Sequence, residues 1–581
     1  MSQRSAPHQP AGRILLCFSI LLFSCQNEVF EQNALQLPDK PNILWLVAED
    51  LSPIIPPFGD HTVDTPTLDR LAREGVRYTN LYSVSGVCAP SRFTLATGVY
   101  PTSAGAHNMR TQWNKEFLEQ LGLQTYEVIP PPEVKMMSQV LRENGYYCTN
   151  NDKTDYQFVA PATAWDESGP RAHWRNRPEG KPFFSIFNFG ITHESQVFWT
   201  PSKKNFLYQE GFPPAPETPI PGWTDRIDST EWTLNIPDDT KVPIPPYLAD
   251  TEGTQKDVRR VYSNIIEMDR QVNYILKQLE EDGLLENTII VWYTDHGGPL
   301  PRQKRLLYDS GIHVPMIIRY PNQQRAGETD DQLISFVDFA PTAFSFAGIK
   351  PPAYLEGQAF AGKYAAASPR KYIHAAADRL DTEYDMIRAV RDKRFKYLRN
   401  FKPDQPYYLK VAYRENMTAM QDLLRLNAAR ELNEYQAQWF RASKPPEELF
   451  DCQNDPYELK NLADDPEYAE ILSELRAECD RWMKSTDDKG FVPEGELLES
   501  FWPNREQPIT AAPAFETDEQ ISLTCETEGA SIAYQITKTN AELEKRWQVY
   551  TGPVSMNADE QLHAFAHRIG FKPSDIIEIK P

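Results

Sequence analysis

Residues 85–98 read SGVCAPSRFTLATG. Physically, this is a loop that turns into a helix. Cys88 stands just before the first turn, Pro90 is tolerated within it, and Gly98 can end the helix. A group at a helix N-terminus faces orphan N–H donors and the positive end of the dipole, so the position suits an anion. A cysteine there has its thiol pKa lowered. Taken alone, Cys88 also fits an inert, half-buried cap. The rest of the chain decides between the two.

Outward from this stretch, residues 42–48 (NILWLVA) form a continuous apolar run, as expected of a strand buried in a parallel sheet. Glu49 and Asp50 follow it. Thr65-Pro66 opens a predicted helix over 67–74, stopped by Gly75. Further helices are predicted over 134–143 and 255–281. The second of these carries Val258, Val261, Ile265, Met268, Val272, Ile275 and Leu279 on one face. Strands are predicted over 146–149, 183–189, 288–293 and 314–320. Strands alternating with helices predict a doubly wound α/β sheet. Lys153, His193, Asp295 and His296, like Glu49 and Asp50, fall just past the C-terminal ends of predicted strands. Open α/β sheets build their sites at that edge. Glu49 and Asp50 at one strand end and Asp295 at another can supply hard oxygen ligands to a divalent cation, which would bind a substrate oxygen and polarise the bond to be broken.

The spacing C-x-P-S-R-x-x-L-x-T-G, filled here by Cys88, Pro90, Ser91, Arg92, Leu95, Thr97 and Gly98, resembles the signature of the type I sulfatases. Two later segments, PRQKRLLYDSG (301–311) and DRLDTEYDMIRAVRDKRFKY (378–397), resemble the branch containing heparan N-sulfatases and bacterial polysaccharide sulfatases. The resemblance implies an alkaline-phosphatase-like α/β fold. It implies that a sulfatase-maturating enzyme oxidises Cys88 to formylglycine, whose hydrate would supply the oxygen nucleophile toward sulfur. It implies a bound metal, usually Ca2+ with Mg2+ as the alternative, held by Glu49, Asp50, residue 88, Asp295 and His296. Glu49 stands where the family usually has Asp, and His296 where it commonly has Asn. Arg92, Lys153 and Lys304 would hold the sulfate, and His193, in FGITHES, would protonate the leaving oxygen. Lys153 lies in NNDKTDY, where Asp155 replaces the family's His. His107, in GAHNMR, is the candidate to take part of that role.

The implied activity is hydrolysis of sulfate esters or N-sulfate on a carbohydrate such as ulvan or a glycosaminoglycan. The alternatives are a phosphoester hydrolase on the same fold and a non-catalytic surface lipoprotein that binds glycans. Specificity is expected from loops outside the sulfate-binding core. Arg110, Trp113 and Lys115 lie in one irregular stretch, and Asp378 and Arg379 in another; such groups can stack on a sugar or pair with its charges.

With 581 residues, 40% hydrophobic and 12% aromatic, the chain can fold as one large domain plus a smaller one. A net charge of −22 argues against nucleic acid and anionic membrane surfaces as partners. A local cluster of Arg, Lys and His is therefore expected to set the field in the site. Arg4 and Arg13 precede an apolar run over 14–23, too short to span a bilayer and shaped like a signal peptide. Residues 22–25 (LFSC) resemble a lipobox, which implies a lipidated Cys25. The expected location is the periplasm or outer membrane of a Gram-negative bacterium, with membrane contact only through the lipid anchor.

The expected divisions are a signal over 1–25, a linker over 26–40, a catalytic domain over 41–350, a C-terminal subdomain over 351–503 and a small β-sandwich over 512–581. A hairpin over 386–390 and 394–399 and a helical stretch over 417–442 belong to the subdomain. Residues 512–581 resemble the C-terminal accessory domain of chitobiases and hexosaminidases, with packing support and glycan contact both open as roles. Of the seven cysteines, Cys452 and Cys479 could pair in an exported protein.

Overall fold

The structure is a computed structural model that describes residues 35–112, 115–198, 236–539 and 541–580. The expected signal, Cys25 and Trp113 lie outside the described residues. The main sheet is nine-stranded. Its strands are β1 (Asn42–Ala48), β2 (Val76–Tyr82), β3 (Tyr147–Asn151), β4 (Glu167–Ser168), β5 (Phe183–Phe189), β6 (Thr288–Thr294), β7 (His313–Arg319), β8 (Thr329–Asp330) and β9 (Ile334–Ser335). Their order is β4-β3-β5-β1-β6-β7-β2-β8, with β9 beside β2.

β3, β5, β1 and β6 are parallel neighbours. β1 is buried along its whole length because both of its faces are covered. Leu44, Leu46 and Ala48 enter one core, and Ile43, Trp45 and Val47 enter the other. This is the period-2 alternation of a strand expressed in an unbroken apolar run.

β7 runs antiparallel to both β6 and β2, so the sheet is mixed. Only a loop and the short helix Asp309–Ile312 separate β6 from β7, and an antiparallel return needs no crossover helix. β2 is absent from the sequence-based expectations. It runs in the same direction as β6, so its C-terminal end reaches the same sheet edge as β1 and β6. From that end the chain passes directly to Cys88.

Four helices concern the site: α1 (Pro66–Glu74), α2 (Cys88–Thr97), α3 (Met137–Glu143) and α4 (Glu252–Glu281). α3 begins later than expected, because Met136 is still extended. All seven apolar residues named for the long helix are buried in one core. Each such side chain contributes roughly 1.5–3 kcal/mol on burial. α2 ends at Gly98, whose φ of 76° is left-handed and whose N–H bonds Thr94 O at 2.7 Å.

A second, antiparallel sheet has the order β10 (Ile373–Ala377), β11 (Ile387–Arg391), β12 (Phe395–Asn400), β13 (Glu447–Asp451). β11 and β12 form the expected hairpin. The helix α5 (Thr418–Ala429) is shorter than the expected stretch, because Arg430 turns left-handed at φ 60°. The helices α6 (Ala469–Ser485) and α7 (Glu494–Phe501) follow. Cys452 and Cys479 do not pair. Cys452 packs into a main core, whereas Cys479 packs from α6 against Val390 and Phe395.

The last strands are β14 (Ala514–Thr517), β15 (Ile521–Thr524), β16 (Ser531–Lys538), β17 (Gln548–Val549), β18 (Glu560–His567) and β19 (Ile577–Ile579). They form a two-stranded and a four-stranded sheet. Ile521 and Leu523 of the first share a core with Ile532, Leu562 and Ala564 of the second, which makes the pair a small sandwich.

Candidate active site

The parallel order β3-β5-β1-β6 sets four strand ends side by side, and each is followed by polar residues. Glu49 and Asp50 leave β1, Asp295 and His296 leave β6, His193 follows β5 and Lys153 follows β3. Cys88, the first residue of α2, is 1% exposed and faces them. Gly86 holds the preceding loop against the loop that carries Lys304: a Cβ there would lie 2.6 Å from Leu306 O.

Asp50 Oδ1, Asp295 Oδ1, His296 Nε2 and Cys88 Sγ gather in one buried group. Donor atoms of these residues all lie within 4.8 Å of one another. His296 Nε2 is 3.0 Å from Asp50 Oδ1, 3.8 Å from Asp295 Oδ1 and 3.3 Å from Cys88 Sγ. Asp50 adopts a left-handed φ of 48°, and its N–H donates to Asp295 Oδ1 at 3.1 Å. Such a backbone position is uncommon outside glycine and persists where its surroundings hold it. His296 Nδ1 donates to Gly297 O at 3.0 Å, which aims Nε2 at the two carboxylates. Acceptors facing one another require a proton or a cation between them. The donor set therefore fits a divalent metal of the oxygen-preferring kind.

Cations surround the thiol. Lys304 Nζ is 3.7 Å from Cys88 Sγ, 2.6 Å from Asp50 Oδ2 and 3.4 Å from His193 Nε2. Lys153 Nζ pairs with Glu49 Oε2 at 2.5 Å. Arg92 Nε donates to Asp295 Oδ2 at 3.1 Å, and its Nη1 donates to Asn188 Oδ1 at 2.7 Å. Burial raises the Cys88 thiol, but Lys153 and Lys304 outweigh it and bring the pKa down to about 7. Burial likewise opposes ionisation of Asp50, yet Lys304 and His193 hold it well below the usual carboxylate range. These are the local cations that an acidic chain needs in order to hold an anion.

Residues 41–349 match the sulfatase family, and residues 302–434 match the C-terminal part of N-sulphoglucosamine sulphohydrolase. An ulvan-active sulfatase of Formosa agariphila is 52% identical over 97% of this chain and 96% of its own length. The chain belongs to the sulfatase family.

The N-sulphoglucosamine sulphohydrolase of Homo sapiens is 24% identical to this sulfatase, over 80% of the chain and 94% of its own. A solved 2-O GAG sulfatase superposes with a TM-score of 0.53 at 20% identity, covering 78% of this chain and 93% of that one. The alkaline-phosphatase-like fold expected from the motifs is thus the fold of this chain, and the protein is a sulfuric ester hydrolase.

Some expected site residues lie elsewhere in the sulfatase. The charged neighbours of His107 are Asp378, Arg388, Asp488 and Glu494, and burial lowers its pKa. It belongs to an internal charge cluster, not to the acid–base pair at residue 88. Asp378 is buried and accepts from Arg388 Nη1 and Nη2, both at 3.1 Å. Arg379 is 1% exposed and holds both oxygens of Glu494, Nε–Oε2 at 2.7 Å and Nη2–Oε1 at 2.6 Å. Both are spent on internal ion pairs: Arg379 ties the loop that follows β10 to α7, and Asp378 ties it to β11. Lys115 is exposed and pairs along its own helix with Glu119. Arg110 does stay near the site: half-buried over the Tyr413 ring, it has Asp381, Asp155 and Cys88 among its charged neighbours.

Two residues of the sulfatase's site escape the sequence reading. Glu194 is buried, donates its N–H to Asp50 Oδ2 at 2.8 Å, and takes Arg305 on both carboxylate oxygens at 2.8 and 2.9 Å. Its signal is its position, directly after His193 at the same strand end. Asn188 sits inside the apolar run of β5, where it accepts from Arg92 and donates to Asn151 O at 3.1 Å.

Proposed function

We propose that this sulfatase removes sulfate from ulvan or a closely related sulfated polysaccharide, using residue 88 after its oxidation to formylglycine by a maturating enzyme. One observation carries the reading. The Cys88 thiol sits at a helix N-terminus among Asp50, His296 and Lys304, in a chain 52% identical over nearly its whole length to an ulvan-active sulfatase. Formylglycine supplies, when formed, a gem-diol oxygen able to attack sulfur. A bound Ca2+ supplies polarisation of a sulfate oxygen.

The remaining chemistry belongs to the chain's own residues. Asp50, Asp295 and His296 are the proposed metal ligands together with residue 88. Glu49 is the weakest of the set, because it lies outside the group that Asp50, Cys88, Asp295 and His296 form. Lys153, Lys304 and Arg92 bind the sulfate and spread its negative charge. Asp295 and Asn188 hold the Arg92 guanidinium in place. His193 presents Nε2 beside Lys304, where it can give a proton to the leaving oxygen, and its Nδ1 is set against Ser195 Oγ at 2.9 Å. Burial of these groups excludes water and strengthens each interaction. Export through the N-terminal signal and lipidation of Cys25 belong to the same proposal.

The test has two parts. Mass spectrometry of the peptide containing residue 88, from a host with a maturating enzyme, is expected to show the loss that accompanies conversion of cysteine to formylglycine. Sulfate release is expected from ulvan oligosaccharides and at most weakly from N-sulfated glucosamine. An unmodified, inactive Cys88 in a competent host would favour a binding protein instead.

A further inference from the structure

The terminal sandwich is fixed to the catalytic domain. Ser531 Oγ bonds Thr163 Oγ1 at 2.6 Å and accepts from Gln139 Nε2 at 3.1 Å, all three buried. Arg142 Nη2 donates to Trp547 O at 2.7 Å, and Arg568 Nη2 to Pro130 O at 3.2 Å. Gly529 lets the backbones meet, since a Cβ there would lie 2.3 Å from Pro132 O. Ile569 joins a core of the main domain. The sandwich is therefore a wall of the molecule, and its position relative to the site has meaning.

A cleft of about 590 Å³ lies along that wall. It falls within the roughly 300–1,000 Å³ range of ligand clefts. One side comes from the catalytic domain: Gln112, Thr154, Val159 and Trp165. The other side comes from the sandwich: Lys545 and Trp547. Thr154 directly follows Lys153, Gln112 lies two residues beyond Arg110, and Trp165 lines both this cleft and the cavity lined by Arg92, Lys153 and Asn188, so the cleft neighbours the groups placed at the sulfate site. Trp547 is half-buried and its ring is set edge-on against Phe565 at 4.7 Å, which holds it in one orientation. Val159 is 54% exposed, an apolar surface left open beside it.

The cleft carries one cationic point, Lys545, and both of its acids face protein donors. Its two lining acids are engaged inward: Asp166 by Arg142 and by Cys148 N–H, and Glu167 by His173 N–H and Asn176. Lys545 is exposed and makes no ion pair among the described residues. A half-buried indole beside a free ammonium suits a pyranose that carries a sulfate or a carboxylate.

We propose that this cleft is a binding subsite for the sulfated glycan strand beyond the residue being desulfated, with Trp547 stacking on a sugar ring and Lys545 meeting its anion. The proposal rests on the polysaccharide reading given above. It makes the sandwich a part of the substrate site.

The test uses the full chain with Trp547→Ala, Trp547→Phe and Lys545→Glu. Lys545→Glu changes an exposed, unpaired side chain, so it separates a binding defect from a folding defect. On ulvan oligosaccharides, Trp547→Ala and Lys545→Glu are expected to raise KM about tenfold with kcat within twofold, and Trp547→Phe to retain most of the affinity. Hydrolysis of a small aryl sulfate is expected to stay unchanged. Unaltered KM on the oligosaccharides would overturn the subsite. Equal losses on both substrates would overturn it too, by making these residues scaffold. Affinity electrophoresis of each variant in the Cys88→Ala background, in gels containing ulvan, reads the cleft without turnover. A chain that binds ulvan through Trp547 and Lys545 but releases no sulfate keeps the subsite and refutes the proposed function. A chain that hydrolyses ulvan yet loses no binding in the variants does the opposite.

Discussion

Two buried groups in this sulfatase look alike in composition: Asp50, Cys88, Asp295 and His296 in one, Asp309, Cys452 and Glu458 in the other. Both bring carboxylates and a thiol within 4.8 Å of one another. Their electrostatics are opposite. Lys153 and Lys304 overcome burial at Cys88 and lower its thiol to about 7, whereas burial, Asp309 and Glu458 together push the Cys452 thiol well above its usual range. In the second group a cation stands between the acids: Lys396 Nζ is 2.5 Å from Asp309 Oδ1 and 2.8 Å from Glu458 Oε1, and Arg391 takes the other side of Asp309. In the first, His296 Nε2 faces Asp50 and Asp295, which outweigh burial and raise the His296 pKa to about 10. The acids of both groups are paired with cations, Asp50 with Lys304 at 2.6 Å and Asp295 with Arg92 at 3.0 Å in the first, so what separates the groups is the opposite shift of the two thiols and the His296 nitrogen set among the carboxylates. Ligand types alone do not distinguish them.

The sharpest way to break this comparison is to remove each thiol. Cys88→Ala is expected to lower kcat by several orders of magnitude while leaving the fold intact, since the nucleophile is lost from a helix end. Cys452→Ala is expected to leave kcat within about twofold. Sulfate release and circular dichroism check both. Residual activity above a tenth of wild type in Cys88→Ala would sink the assignment of the first group.

Stability sharpens it next. Asp309→Asn leaves Lys396 and Arg391 short of charge, and is expected to cost about 3–5 kcal/mol in urea unfolding, the usual penalty for breaking a buried pair. Arg379→Ala strands Glu494 and falls in the same range of about 3–5 kcal/mol. For Arg379→Ala, kcat/KM on an oligosaccharide and on a small aryl sulfate should fall together, if at all. A selective loss on the oligosaccharide would return Arg379 to the substrate.

The smallest effect lies within the first group. Asp295→Asn is expected to weaken Ca2+ binding by about tenfold or more, in line with loss of a ligand or its support. Glu49→Gln is expected to weaken it less, because Glu49 lies outside the group formed by Asp50, Cys88, Asp295 and His296. Calcium titration of the chelated protein measures both. Equal or reversed losses would show that Glu49 is the stronger ligand.

β1 and β6 were legible because each is a short, largely apolar run followed at once by a charge, as in NILWLVA-Glu49-Asp50. That pattern needs no partner to be read. Strand direction was not legible. β7 is as apolar as β5, and its antiparallel direction is seen only in its pairing with β6 and β2. β2 was missed because VRYTNLY is only partly buried and mixes polar with apolar positions.

By itself, the sequence determined the helix end at Cys88, the charges at the strand ends, the family and hence the reaction. These are local facts: spacing along one segment sets which residues share a helix turn or follow a strand. Tertiary structure alone decided which charged side chains face the site. Arg379 and Asp378 carry the chemistry of substrate contacts, yet Glu494, 115 residues away, captures the first, and Arg388 on the neighbouring strand captures the second. Glu194 enters the site because Lys304 and Arg305, over a hundred residues further on, fold back to meet it. A buried charge goes to whichever opposite charge the fold brings nearest, and that distance is set in space rather than along the chain.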